Sequence, residues 1–300
     1  MNICILLICF NVLTGVQLEG KGRTTESFQK SQRILSGRDA RSSEFPYVAR
    51  MEVHHTPPNT TKVIAHHVCT CTVITKAWSL TAAHCIVGIN GILIRIVSNA
   101  KGVIRYGLVN KNTKMMCMKD KGIRDIVHLM SHPDYFGFSY KTLLARNDVG
   151  LVKTKNIHLV KYGKISAVDY TTLYGYELVM VGFGVMNSSN GMNNTLNLKK
   201  PLQVVKVLAK KCESYVKFEA YPVLCLAQRC GTATAMCPGD SGGPVLYRGR
   251  VVAVNSYSKT DDCNTSDLRK RPNDVGFLTA ISVYIDWIAA HVNAVDNKKA

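Results

Sequence analysis

The stretch Met236-Cys237-Pro238-Gly239-Asp240-Ser241-Gly242-Gly243-Pro244 decides how the rest of this chain is read. Three glycines and two prolines in nine residues exclude a helix interior or a central strand, so the segment is a tight loop. Glycine permits positive φ and lets another group come close to the main chain. Consecutive backbone N–H groups in such a bend can face one small hollow and stabilise a negative charge developing there. Ser241, at the centre of that hollow, is a candidate nucleophile. Standing alone, the loop also fits a glycine-rich hairpin with an incidental serine.

A serine hydroxyl is a weak nucleophile. It needs a base, and the base needs an orienting group. Thr81-Ala82-Ala83-His84-Cys85 supplies a histidine in a run of small residues, and Asn147-Asp148-Val149-Gly150-Leu151-Val152 supplies an acid just ahead of an apolar strand. With these three segments in hand, the chain resembles the chymotrypsin-like serine proteases. The segments match that family's histidine, aspartate and serine boxes in the family's order, and the likeness runs from about residue 34 to about residue 293. Three boxes in order are a far more specific signal than any one of them.

The resemblance implies an all-β fold: two six-stranded antiparallel Greek-key β-barrels with a C-terminal helix. The first barrel is expected over about residues 34–155, the second over about 156–280 and the helix over about 281–295, ahead of a basic tail, 296–300. It also implies roles. Ser241 attacks a peptide carbonyl, His84 accepts its proton, and Asp148 holds the imidazole in the right tautomer. The N–H groups of Gly239 and Ser241 bind the oxyanion, and no metal or cofactor is needed. Ser256 matches the serine that hydrogen-bonds the triad acid, followed by Tyr257 and Ser258 where Trp and Gly are usual. Ala235 stands at the pocket floor where trypsin-like members carry an aspartate, Met236 adds apolar lining, and Gly276 fits one wall. Without an acid at the floor a substrate Lys or Arg would be buried unpaired, so cleavage after apolar residues is expected. Asp274, in a long stretch before Gly276, could restore a preference for basic residues.

Activation is implied in the same way. Ile34-Leu35-Ser36-Gly37 resembles the family's mature N-terminus, with Leu35-Ser36 in place of Val-Gly. Cutting after Arg33 would free an amine to pair with Asp240, and a buried carboxylate needs such a partner. An apolar pocket would not cut at Arg33, so a separate trypsin-like protease is expected to do it. The spacing of Cys69, Trp78 and Cys85 matches the family and implies a Cys69–Cys85 bridge. Cys212–Cys225 and Cys237–Cys263 fit two more, the last straddling the pocket. The pairing of Cys71, Cys117 and Cys230 stays open. Thr70-Cys71 replaces a Gly-Gly pair common in the family and adds bulk behind the site. It keeps open a second reading, a catalytically silent homologue acting as a binding or cofactor module.

Composition agrees with an extracellular enzyme. Of 300 residues, eleven are cysteines, too many for a reducing compartment. Met1 to Gly20 reads as a signal peptide with an apolar core from Ile3 to Phe10, although no basic residue precedes that core. Residues 21–33 read as a polar pro-segment. Sequons at Asn59, Asn187, Asn193 and Asn264 are glycosylation candidates on a secretory route. No run of eighteen apolar residues suggests a membrane span. The formal net charge is +18, but no aromatic-interleaved basic stripe accompanies it, so no nucleic-acid partner is expected. A monomer is expected, with protein or peptide substrates and proteinaceous inhibitors as partners. His54-His55 and His66-His67 read as surface histidines. Ile281 to Val295 is the one stretch with clear helical periodicity, and Trp287 packs on its apolar face.

Overall fold

The computed structural model describes residues 37–41, 43–95, 99–107, 122–137, 145–184, 201–212, 222–227, 236–258 and 276–294. Arg33, Ile34, Ala235, Asp274, Cys117, Cys230, Cys263, Asn187, Asn193 and Asn264 lie outside these residues, as do the expected signal peptide, pro-segment and basic tail. Asn59 is described, exposed at a turn with φ of 62°.

The first barrel is built from β2 (Val48–His55), β3 (Ile64–Val73), β4 (Trp78–Thr81), β5 (Lys101–Arg105), β6 (Ile123–Ser131) and β7 (Gly150–Thr154). Its closed order is β2-β3-β4-β7-β6-β5. The second uses β8 (Glu177–Gly182), β9 (Gln203–Lys210), β10 (Val223–Ala227), β11 (Pro244–Tyr247), β12 (Arg250–Ser258) and β13 (Gly276–Ala280). Its order, β8-β9-β10-β13-β12-β11, closes through β11–β8 and repeats the topology of the first. All the pairings are antiparallel, so this is the two-barrel fold of the chymotrypsin family. A two-residue strand, β1 (Arg38–Asp39), adds to β9 of the second barrel, although the chain next enters the first.

Alternation along the strands decides what fills each barrel. In β2, Ala49, Met51 and Val53 point inward with Cys69, Cys71, Val73, Ile104 and Val152. Leu178, Met180, Val205, Val207, Leu224 and Leu278 fill the second barrel. A third cluster is the seam: Val48, Trp78, Leu80 and Leu151 of the first barrel meet Val181, Phe183, Val204, Leu246 and Val254 of the second. Side chains of this size each contribute about 1.5–3 kcal/mol when fully buried, so the seam adds a buried apolar cluster of its own to those inside the barrels.

Two helices complete the described fold. α2 (Ile285–Asn293) follows a 3-10 turn at Ser282–Tyr284 and is shorter than the periodic stretch suggested. Tyr284 and Ile288 are buried in the seam cluster, with Trp287 and Val292 packed against it. α1 (Ala83–Arg95) was not legible: the sequence suggests a turn at His84 and strand-like runs after Ile92. Gly88, Gly91 and several isoleucines give it weak helix propensity. The helix persists because Cys85, Ile86 and Ile89 bury one face in the first barrel.

The bridges Cys69–Cys85 and Cys212–Cys225 are formed. Cys237 is also disulfide-bonded, and Cys263, the partner expected for it, lies outside the described residues. Cys71 is a buried free thiol. The histidine pairs are not plain surface residues. His54 is 7% exposed and holds buried Glu52 at 2.7 Å, and Arg105 reaches the same carboxylate at 2.9 Å. His55 and His66 stack with ring nitrogens 3.2 Å apart, and His67 turns toward the glycine loop.

Candidate active site

His84 is the second residue of α1, and Asp148 lies two residues before β7. Gly150 is what lets the two meet. A Cβ there would collide with Ile86 Cδ1 of α1 and crowd the Met130 carbonyl at 3.1 Å. Asn147 adopts φ of 50°, tolerable for asparagine, and its side chain ties the turn down: Nδ2 donates to the Asp134 carbonyl at 2.9 Å, and Oδ1 accepts from the Tyr284 hydroxyl at 2.8 Å.

Asp148 is fully buried and accepts three hydrogen bonds. The His84 backbone N–H reaches Oδ1 at 2.8 Å; His84 Nδ1 reaches Oδ2 at 2.8 Å; Ser256 Oγ donates to Oδ2 at 2.5 Å. Burial alone would raise the carboxyl pKa. The charge of His84 and these hydrogen bonds outweigh burial and hold it below the usual aspartate range. An ionised carboxylate only accepts, so Nδ1 of His84 carries a proton and Nε2 presents a lone pair in the neutral ring. The imidazole side chain is 21% exposed, and its Nε2 lies 3.7 Å from Cys85 Sγ. Ser256 reaches Asp148 because a bulge between Asn255 and Tyr257 takes it out of register with β13.

The glycine loop docks across the seam onto β3. Thr70 N donates to the Ser241 carbonyl at 2.9 Å. Gly242, at φ of 76°, lies so close to Thr81 Oγ1 and Ala82 N that a Cβ could not fit. Ser241 is therefore set beside the residues that lead directly into His84. Asp240 is fully buried, its Oδ1 accepting from Gly184 N at 2.6 Å and its Oδ2 from Cys237 N at 3.0 Å. Gly182 and Gly184 lack side chains because a Cβ at either would run into that carboxylate.

Several contacts here were not legible in the sequence. Thr70 Oγ1 donates to the Gly239 carbonyl at 2.7 Å and accepts from Phe183 N at 3.1 Å. His67 Nε2 lies 3.2 Å from the same Gly239 oxygen. Asn255 Nδ2 donates to the Asp240 carbonyl at 3.1 Å. Gly239 itself has φ of 92°.

Of the expected pocket residues, Met236 is buried, with Cε 3.3 Å from where a Cβ on Gly276 would stand. Leu226 Cδ1 is closer still, at 2.8 Å, so the surroundings of Gly276 are apolar and leave no room for a side chain there. Tyr257 stacks on Phe277 with centroids 6.1 Å apart, and Ser258 ends β12. Cys69, His84 and Cys85 gather in one place, but the two sulfurs are joined to each other and do not offer a metal site.

A family model described as Trypsin matches residues 34–288. Among curated proteins, the chain is 24% identical over 274 residues to Suppressor of tumorigenicity 14 protein homolog of Bos taurus, covering 89% of this chain and 29% of that protein. It is 24% identical over 230 residues to Vitamin K-dependent protein C of Mus musculus, covering 73% and 45%. It is 25% identical over 283 residues to Melanization protease 1 of Drosophila melanogaster, covering 87% and 66%. The chain thus spans less than two thirds of each of these relatives. A solved structure described as neuropsin, a serine protease expressed in the limbic system of mouse brain, superposes with a TM-score of 0.59 at 19% identity, covering 86% of this chain and 99% of that one.

Proposed function

Since the chain belongs to the trypsin family of serine proteases, we propose that it is a secreted serine endopeptidase working through an acyl-enzyme. The observation that carries the reading is the buried Asp148 carboxylate, bonded to His84 Nδ1 at 2.8 Å, which leaves Nε2 of the neutral ring as the base. In this reading His84 takes the Ser241 proton as Oγ attacks a peptide carbonyl, and Asp148 stabilises the imidazolium. The N–H groups of Gly239 and Ser241 receive the oxyanion. His84 then protonates the leaving amine, and water resolves the ester by the same steps in reverse.

Activation follows cleavage after Arg33 by a separate trypsin-like protease. Asp240 supports it by its place: fully buried, with both carboxylate oxygens accepting from backbone N–H groups, it offers a negative charge that a cation stabilises. The new amine of Ile34 is that cation. The apolar contact of Met236 and Leu226 around Gly276 supports cleavage after apolar residues. Cysteine content and the N-terminal apolar segment support secretion as a glycosylated monomer, open to proteinaceous inhibitors. No helix among the described residues is long and apolar enough to cross a membrane.

The test is labelling by a serine-directed fluorophosphonate after cleavage at Arg33. Label is expected on the cleaved chain and lost in Ser241→Ala. Its absence from the cleaved, folded chain would leave the silent-homologue reading. A peptide-library profile of the active form then tests the pocket, with cleavage after Lys or Arg contradicting it.

A further inference from the structure

We infer that Thr70 and Asn255, one from each barrel, are positioning residues that aim the anion-binding N–H groups of the Ser241 loop. This rests on the protease reading above. Between the N–H of Gly239 and the N–H of Ser241 lie two peptide planes, Gly239–Asp240 and Asp240–Ser241. In a trans peptide the C=O of one residue and the N–H of the next point in opposite directions within one plane, so holding the Asp240 carbonyl aims the Ser241 N–H. Holding the Gly239 carbonyl fixes the plane that links the two donors and whose own N–H, that of Asp240, donates to the Cys237 carbonyl at 3.0 Å. Each of these two carbonyls is held by a buried side chain. Thr70 Oγ1 donates to the Gly239 oxygen at 2.7 Å, and Asn255 Nδ2 donates to the Asp240 oxygen at 3.1 Å. The second plane carries the Ser241 N–H, which Asn255 therefore turns away from itself.

The Thr70 hydroxyl has no freedom to do otherwise. Phe183 N–H donates into it at 3.1 Å, so its single proton is committed to Gly239. The Thr70 backbone repeats the grip: its N–H donates to the Ser241 carbonyl at 2.9 Å, and its own carbonyl accepts from Thr81 Oγ1 at 3.1 Å. Both side chains are at 0% exposure, so water does not compete for these carbonyls. Asn255 keeps its place although its Oδ1 has no hydrogen-bond partner among the described residues. A valine would satisfy β-strand preference and burial at either position. The polar groups are there for the loop.

The experiment uses the full chain cut after Arg33, with peptide amide substrates and a peptidyl aldehyde, whose adduct places an oxyanion at the loop. Thr70→Val, Thr70→Gly and Asn255→Val are each expected to lower kcat by roughly 10- to 100-fold, short of the loss on removing a donor outright. KM is expected to stay within about twofold. The aldehyde should weaken in step with kcat, while binding of the cleaved peptide product is unchanged. Thr70→Ser, which keeps the hydroxyl, should restore most of the rate. If Thr70→Val does not fold, Thr70→Gly and Asn255→Val read the same loop. Wild-type rates in the folded variants, or a rise in KM with kcat intact, overturn the inference and leave the protease reading standing. An unlabelled wild type after cleavage overturns both.

Discussion

Replacing Gly150 with alanine tests the reason His84 and Asp148 meet. The added methyl would overlap Ile86 Cδ1, stand 3.1 Å from the Met130 carbonyl and touch Ala83 Cα at 3.5 Å. Ile86 is 2% exposed and cannot swing into solvent. Overpacking at such a site costs about 1–3 kcal/mol. Ile86→Val removes the offending Cδ1 and by itself costs about 0.5–1.5 kcal/mol. If the collision is with Cδ1, the double variant will be more stable than the sum of the two changes, with a coupling of about 1 kcal/mol or more. The rescue is partial, because the contact with the Met130 carbonyl remains. Urea unfolding of the four proteins measures the cycle, with midpoints compared at equal slopes. Gly150→Ala at wild-type stability, or strict additivity in the double variant, would refute the claim that this glycine seats α1 on β7.

Other outcomes follow from single contacts. Ser256→Ala removes one of three hydrogen bonds to Asp148, so the carboxyl pKa should rise, and kcat should fall by roughly tenfold, in line with a bond to a charged group; a pH–rate profile checks both. Because Asp148 is depressed when folded, its contribution to stability is present above the ordinary 3.8 and disappears as pH falls through the lower folded value; acid melts of wild type and Asp148→Asn should converge there. Glu44, paired through both oxygens with Arg38 at 2.7 Å, is lowered to about 2 chiefly by that hydrogen bond. Arg38→Ala should return it toward 4.5 by NMR titration while changing stability by less than about 1 kcal/mol, since the pair is exposed. Cys71 is fully buried, which raises its thiol pKa, so a thiol reagent should modify it only at the rate of global unfolding; rapid labelling of the native protein would contradict its placement.

The sequence made the site's motifs readable because each is local: a glycine loop, a histidine among small residues, an acid before an apolar strand. Strand β7 was readable because an apolar run, Val149 to Val152, follows the acid directly. What escaped was whatever depends on distant partners. Thr70 touches Gly239 across 169 positions of chain, and nothing near Thr70 marks it; its replacement of a glycine read as bulk behind the site, whereas the hydroxyl braces the loop. His67 and Asn255 escaped for the same reason. β2 is buried on both faces, so His54, read as a surface histidine, instead meets the buried Glu52 carboxylate at 2.7 Å. Helix α1 was hidden by two glycines that tertiary packing overrides.

The short β1 strand lies on β9 of the second barrel, with Gln203 Nε2 bonded to Asp39 at 2.7 Å, while the chain running on from it builds the first. Were the polypeptide nicked at Val160, on the exposed crossing between barrels, the amino-terminal fragment would still hold a strand that pairs with its counterpart. The two pieces should therefore reassemble when mixed, giving a split enzyme whose activity reports their encounter.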